Sequence, residues 1–490
     1  MPSMKNLILF TPHTAVDVAG ATTFWMRGFT PTEKGAGLTY ETSPTPPQGT
    51  TLGERWIKFD GNSIVHSWYM RNGVGVFASG GGDGGSTPDN SIRWASRLQF
   101  LFRHGTSAGV GDTLPTSDAL IWQCPTAGGT LALWYTTTGK LLLIEGGVTV
   151  GTGSTTLTVN TDYIIEVWEV RNNNAGVDLA NNHFVVRLMS GFGGALPITN
   201  EIDGLCDDTS IHLATGTDAG FNKFGEDNAR GANYVFYISQ INFAFEDADD
   251  PYGIVRIDRM DIDGVSALRN EWGGTAADVD DDADPAAPTA GVVADATNGD
   301  SVAVISPTTT TARQAYTLSA PSYAVSSDVI LALNCGYRKG EPVASKGLEV
   351  DYYGGLTDGT TDIYRVQGDN DSALPTTTLQ CWETNVSGNP WAHGDLAALE
   401  VAVKVVTTDT TSRTANIYAI TTFVGYRKDG ETTTRLIDTG EPQNLRWRPR
   451  KLVTSAPPAQ VAPIRNPFVG LFAAAVPPPV STRRRFGISV

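Results

Sequence analysis

The runs Thr130-Leu-Ala-Leu-Trp-Tyr135, Lys140-Leu-Leu-Leu-Ile144 and Tyr163-Ile-Ile-Glu-Val-Trp-Glu-Val170 decide the fold. Each is short, rich in aliphatic, β-branched and aromatic residues, and separated from the next by Gly, Thr, Asn or Asp. Runs of this kind are strands closed by turns, and their recurrence at sandwich spacing marks an antiparallel sandwich. The pattern continues outward through Arg97–Arg103, Thr155–Val159, His183–Leu188 and Asn233–Phe243, while helical periodicity is nearly absent. A first sandwich is therefore expected over residues 21–246, after a lead-in of residues 1–20.

The acidic run Glu246–Asp250 followed by Pro251-Tyr-Gly interrupts the pattern and marks a boundary. Strand-like runs then resume at Gly253–Ile257, Ser301–Ile305, Val329–Leu333, Gly347–Tyr353, Ile363–Val366, Leu399–Val406 and Ala415–Ile420, which places a second sandwich over residues 254–430. Beyond Leu445 the alternation stops. Pro457, Pro458, Pro463, Pro467 and Pro477–Pro479 remove ladder donors and favour extended structure. The expected fold class is all-β: two tandem jelly-roll-like antiparallel β-sandwiches followed by an extended Pro/Arg-rich C-terminal arm over residues 445–490. That arm carries Arg446, Arg448, Arg450, Arg483, Arg484 and Arg485, with apolar anchors at Phe468, Leu471 and Phe472. A solvated linker has no use for such anchors, so the arm reads as an assembly segment that lies on a neighbouring subunit.

Composition narrows the function classes. The 490-residue chain is 40% hydrophobic, enough for real cores. Its net charge of −17 disfavours nucleic acid as a partner, because binding requires neutralisation of phosphates. No run approaches the length of a membrane span, and the apolar run Leu7–Phe10 is too short for a secretory signal. Cys124, Cys206, Cys335 and Cys381 stand singly, with neither disulfide-framework nor zinc spacing. Cys335 and Cys381 read as small buried hydrophobes.

No residue set for catalysis can be nominated. Glu166-Val-Trp-Glu169 is the nearest approach to a paired-carboxylate motif, but residues i and i+3 of a strand face opposite sides. The six histidines are dispersed and no serine sits in a nucleophile elbow. Gly80–Gly85 lacks the Lys-Ser/Thr of a phosphate loop. The main metal candidate, with Asp247, Asp249 and Asp250 a weaker one at the domain junction, is Asp278, Asp280, Asp282 and Asp284, whose alternating carboxylates would suit Ca2+. The loop lacks the Gly and Glu that an EF-hand needs, and a solvated acidic loop is the favoured reading; no cofactor is otherwise expected. The tryptophans of the first region, Trp25, Trp56, Trp68, Trp94, Trp122, Trp134 and Trp168, read as core residues, and Trp382 and Trp391 as packing around the Pro390 turn.

Two resemblances follow from these motifs. Leu98-Gln-Phe-Leu-Phe, Ala119-Leu-Ile-Trp, the run Leu131–Leu143 and Val159-Asn-Thr-Asp-Tyr-Ile-Ile-Glu-Val resemble the laminin-G/concanavalin-A-like jelly roll over residues 20–245. That fold serves lectins, hydrolases and structural modules alike. Tyr337-Arg-Lys, Trp382-Glu-Thr-Asn, Gly388-Asn-Pro-Trp and Asp395-Leu-Ala-Ala-Leu-Glu-Val-Ala-Val-Lys resemble a module of tailed-bacteriophage virion proteins over residues 254–427. The resemblance implies a non-enzymatic virion structural protein, made in the host cytoplasm. Its partners would be other virion proteins and copies of itself. A tail-associated role, as a minor tail or adhesin-type protein, is the leading expectation. A capsid decoration protein and a module binding host surface glycans are the alternatives.

Overall fold

The computed structural model describes residues 6–11, 38–46, 54–60, 66–71, 94–105, 114–126, 129–170, 183–192, 199–205, 221–226, 234–247, 252–272, 301–305, 311–340, 350–369, 376–407 and 413–431. The acidic loop Asp278–Asp284 and the whole arm, from Arg446 through Phe468, Leu471 and Phe472 to Arg483–Arg485, lie outside the described residues, as do Gly80–Gly85.

The first fourteen strands are β1 (Asn6–Phe10), β2 (Leu38–Glu41), β3 (Trp56–Asp60), β4 (His66–Arg71), β5 (Trp94–His104), β6 (Ala119–Thr126) and β7 (Gly129–Tyr135), followed by β8 (Leu141–Glu145), β9 (Val148–Thr152), β10 (Asp162–Val170), β11 (His183–Ser190), β12 (Thr199–Leu205), β13 (Phe221–Glu226) and β14 (Val235–Asp247). They form two antiparallel sheets. Sheet one runs β12-β11-β10-β5-β14-β3-β2, with β1 also pairing β14; sheet two runs β4-β13-β6-β7-β8-β9. Alternation works as the strand period dictates. Tyr163, Ile165 and Val167 of β10 face Leu131, Leu133 and Tyr135 of β7 in a single core with Phe100, Phe102 and Phe236.

The other ten strands are β15 (Arg256–Arg259), β16 (Ile262–Asn270), β17 (Ser301–Ile305), β18 (Thr311–Leu318), β19 (Val329–Gly340), β20 (Val350–Thr357), β21 (Asp362–Asp369), β22 (Thr376–Trp382), β23 (Glu400–Thr407) and β24 (Arg413–Arg427). Sheet three runs β15-β24-β19-β22, with β17 on β24; sheet four runs β16-β18-β23-β20-β21. Their shared core contains Tyr316, Tyr337, Tyr352, Trp382, Trp391, Val401, Val403 and Val405. Trp391 donates its indole N–H to the Trp382 carbonyl at 2.8 Å, closing the Pro390 turn. The protein is all-β as expected, save for a 3-10 turn at His393–Ala398.

One expected strand is not formed. Thr155–Val159 satisfies its backbone outside any ladder: Leu157 N–H donates to Gly139 O, Thr155 N–H to Glu201, and Thr158 N–H to the Tyr163 hydroxyl. The neighbouring Val148–Thr152 supplies β9 instead.

The segment expected to be a lead-in contributes β1, which sits where the two sandwiches meet. Its backbone pairs with Ile241–Phe245 of β14, in line with β3. Leu7 and Leu9, both fully buried, pack among Ala244, Tyr252, Val255, Ile257, Ala332, Cys381 and Phe423. Asn334 of β19 clasps the strand from the other sandwich, accepting from Leu9 N–H at 3.1 Å and donating to Leu7 O at 2.8 Å. The Cys381 thiol also donates to Leu7 O.

The outer face of sheet one is closed in the same way. Arg97, Gln99, Glu166 and Asn242 stand on that face and are all buried. Arg97 donates to Glu166 at 3.2 Å, to Asn242 at 3.2 Å and to Gly253 O at 2.6 Å. Gln99 receives Val255 N–H, and Trp168 donates its indole N–H to Glu166. A little further along, Gln240 adopts a left-handed φ of 50° at the bulge of β14. Its amide bonds both the N–H and the C=O of Ile257 and reaches Glu54. The strain of a non-Gly residue at that φ, about 1–3 kcal/mol, is offset by these three bonds.

Two outcomes are expected in urea unfolding. Leu9→Ala should cost about 2–5 kcal/mol through the cavity it leaves. Arg97→Met should cost about 3–5 kcal/mol, because it removes one of the two buried cations beside the Glu166 carboxylate and leaves Arg187 at 3.8 Å as the other. A cost below about 1 kcal/mol for both would mean that the two sandwiches hold together without this seam.

Candidate functional site

Glu166 is thus a structural carboxylate. Glu169 lies on the opposite side of β10 by strand parity, so the pair makes no carboxylate couple. Most described tryptophan side chains fulfil the core expectation: Trp56, Trp122, Trp168, Trp382 and Trp391 are buried, whereas Trp134 is half-buried. Among the described residues no group of three or more His, Cys, Asp or Glu is placed to hold a metal ion.

The side chains left for chemistry gather on the outer face of sheet four. Three rows of residues lie opposite one another across its strands. Thr317, Glu400, Thr357 and Asp362 form the first; Ala315, Ala402, Gly355 and Tyr364 the second; Arg313, Lys404 and Tyr353 the third. The middle row is nearly all small, and Ala315, Ala402 and Thr357 are fully buried beneath their larger neighbours. A glycine is required at 355. A Cβ there would stand 2.3 Å from Ile363 O and 2.5 Å from the Tyr364 ring, which lies across it.

This face is concave. Arg313 on β18 and Asp362 on β21 are three strand spacings apart, ~14 Å in a flat sheet, yet their side chains approach to 3.8 Å. Arg269, from the irregular end of β16, reaches the same carboxylate with two bonds of 2.9 and 3.0 Å. Twist brings one diagonal of the sheet together, and the small middle row leaves room for the side chains that close over it.

The lining is half-exposed and polar. The Lys404 ammonium stands 4.3 Å from the Tyr353 ring centre and 4.8 Å from that of Tyr364, a double cation–π contact. Arg313 is paired to Glu271 at 3.0 Å. Burial raises the Tyr364 phenol to about 12, with the Asp362 charge adding to the shift, so it stays a neutral donor at ordinary pH. Burial alone would raise the Asp362 carboxyl. The bonds from Arg269 and Thr357 and the charges of Arg269 and Arg313 outweigh it and hold the group below the ordinary carboxylate value. On this face the Tyr364 hydroxyl and Glu400 Oε2 are buried without a hydrogen-bond partner among the described residues. Core atoms such as Trp56 Nε1 and Trp382 Nε1 share this state, and what distinguishes the Tyr364 and Glu400 oxygens is that both stand on one half-exposed face.

No family model matches the chain, and no curated protein does. Among solved structures it is similar to legume lectins. Peanut lectin with a 9mer peptide matches at 12% identity over 49% of this chain and 97% of that one, TM-score 0.29. Arcelin-5, a lectin-like defense protein from Phaseolus vulgaris, matches at 8% identity over 50% and 100%, TM-score 0.27. The cellulose induced protein Cip1 matches at 13% over 44% and 90%, TM-score 0.25. These scores lie below 0.5, and what those proteins bind is not carried over.

Glu400, Ala402 and Lys404 lie in the run that carries the virion resemblance, but no residue lining the concave face was expected to bind a ligand. The available signals were Gly354-Gly355 inside a strand, which marks close approach of another group, and Lys404 within an otherwise apolar run.

Two substitutions test the geometry. Tyr364→Phe deletes a hydroxyl that bonds nothing, so the melting temperature should hold or rise; a fall of several degrees would show that the hydroxyl is structurally bonded. Asp362 contributes stability that is complete above its unfolded value near ~4 and lost as pH falls through its lower folded value. Asp362→Asn should therefore be less stable than the parent at pH ~6, with the difference shrinking below pH ~4 in acid-unfolding curves.

Proposed function

We propose that this chain is a non-enzymatic recognition protein that binds carbohydrate on the concave face of sheet four. The observation that carries this reading is the pair of open oxygens, Tyr364 Oη and Glu400 Oε2, among half-exposed aromatic rings. A sugar hydroxyl is donor and acceptor at once and satisfies both atoms, while Tyr353 and Tyr364 offer ring surface to the apolar C–H face of a pyranose. Lys404, long, partly exposed and outside any ion pair among the described residues, would swing aside to admit the ligand, while Arg313 stays on Glu271.

Hydrolysis does not fit the same atoms. Glu400 and Asp362 stand in one row, but Asp362 gives both oxygens to Arg269, and its carboxyl is held below the usual range where a general acid needs a raised one. The role is binding without a chemical step. Isothermal titration and glycan-array binding of the whole chain test it: saturable binding should appear, and Tyr364→Phe should weaken it by about tenfold without loss of stability. A chain that binds no glycan on the array would overturn the reading.

The virion role belongs to the same proposal, supported by the resemblance at Trp382-Glu-Thr-Asn and Gly388-Asn-Pro-Trp. The recognition face would be displayed on a phage particle, with the 445–490 arm as its anchor. Immunogold labelling of particles with an antibody to the first sandwich checks this. Label at one tail end supports the tail-associated role, label over the head supports decoration, and unlabelled particles exclude both.

A further inference from the structure

We infer that the concave face selects uncharged carbohydrate and that Glu400 is the residue that rejects acid-bearing ligands; this rests on the carbohydrate reading above. The charges lining the face nearly balance, with Asp263 beside Thr317 as one further carboxylate at its edge. Arg269, Arg313 and Lys404 stand against Asp362, Glu271 and Glu400. They are not equally available. Both arginines are committed: Arg269 forms a two-bond pair with Asp362, and Arg313 donates to Glu271 through its Nε and Nη2 while approaching Asp362. Capturing an anion would mean breaking one of these pairs and leaving a carboxylate without its cation.

Lys404 is the remaining cation. Among the described residues it forms no ion pair, and its ammonium is held between two tyrosine rings. Glu400 lies on the same strand, two residues beyond Ala402, with one oxygen lacking any partner. A ligand bonding both Glu400 Oε2 and the Tyr364 hydroxyl sits against that carboxylate. A hydroxyl can donate there. A ligand carboxylate cannot, and it meets like-charge repulsion in a partly desolvated site. Specificity thus comes from a repulsive element placed beside an attractive one.

The test uses the full-length chain, titrated with neutral oligosaccharides and with uronic- or sialic-acid-bearing counterparts at low and high salt. Neutral glycans should bind with affinity nearly independent of salt, and their acidic counterparts about tenfold or more weaker. Glu400→Gln keeps the shape of the side chain, removes the charge, and should close most of that gap by improving binding of the acidic glycans. Tighter binding of acidic glycans to the parent chain, lost as salt rises, would overturn the inference while leaving the carbohydrate reading intact. So would a Glu400→Gln chain that discriminates as strongly as the parent. Absence of binding to either class would remove the underlying reading, and the inference with it.

Discussion

The buried contact between Arg97 and Glu166 sets a condition that shapes the rest of the molecule. A guanidinium and a carboxylate taken out of water are favourable only if every remaining donor and acceptor finds a partner. Here Asn242, Gln99, Trp168, Arg187 and the carbonyl of Gly253 supply most of them. The last of these comes from the link between the sandwiches, so the cluster is complete only when the second sandwich is docked. Gln240 and Asn334 repeat the device, each using a side-chain amide to bond both polar groups of a strand that belongs to the other half. The result is one compact unit through Leu436.

Rigidity of that kind matters for the concave face. Its curvature depends on small residues at three successive strand positions and on pairs that cross the sheet diagonal. On the carbohydrate reading, a ligand would meet the Arg269–Asp362 and Arg313–Glu271 pairs already formed, which would lower the ordering cost of binding. The open oxygens of Tyr364 and Glu400 fit a site where local stability gives way to function.

Much of the fold was legible in the sequence because strand periodicity is local. Tyr163–Val170 alternates toward the core, and the structure places it so. What the pattern does not carry is the fate of the other face. Arg97, Gln99 and Glu166 look like the solvent side of amphipathic strands, and nothing within their own segments indicates that a second sandwich covers them. β1 was missed for a related reason: Asn6–Phe10 is too brief to announce a strand, and its partners lie in β14 and the second sandwich. The candidate site was illegible because its rows draw on four strands between Thr311 and Thr407, and only the register brings Ala315, Ala402, Gly355 and Tyr364 side by side.

The clasp on β1 also orders events during synthesis. Leu9 is held by Asn334, Leu7 by Cys381, and Gly425 leaves the space that Leu9 fills. At ribosomal rates of about 5–20 residues per second, β1 waits roughly 20–80 s after emerging before its last contact exists. β1 has no ladder partner until β14 is made, and after that its two leucines still wait for the second sandwich to cover them. The seam that unites the finished molecule is therefore also its longest-lived vulnerability on the ribosome, and the place where a chaperone has most to shield.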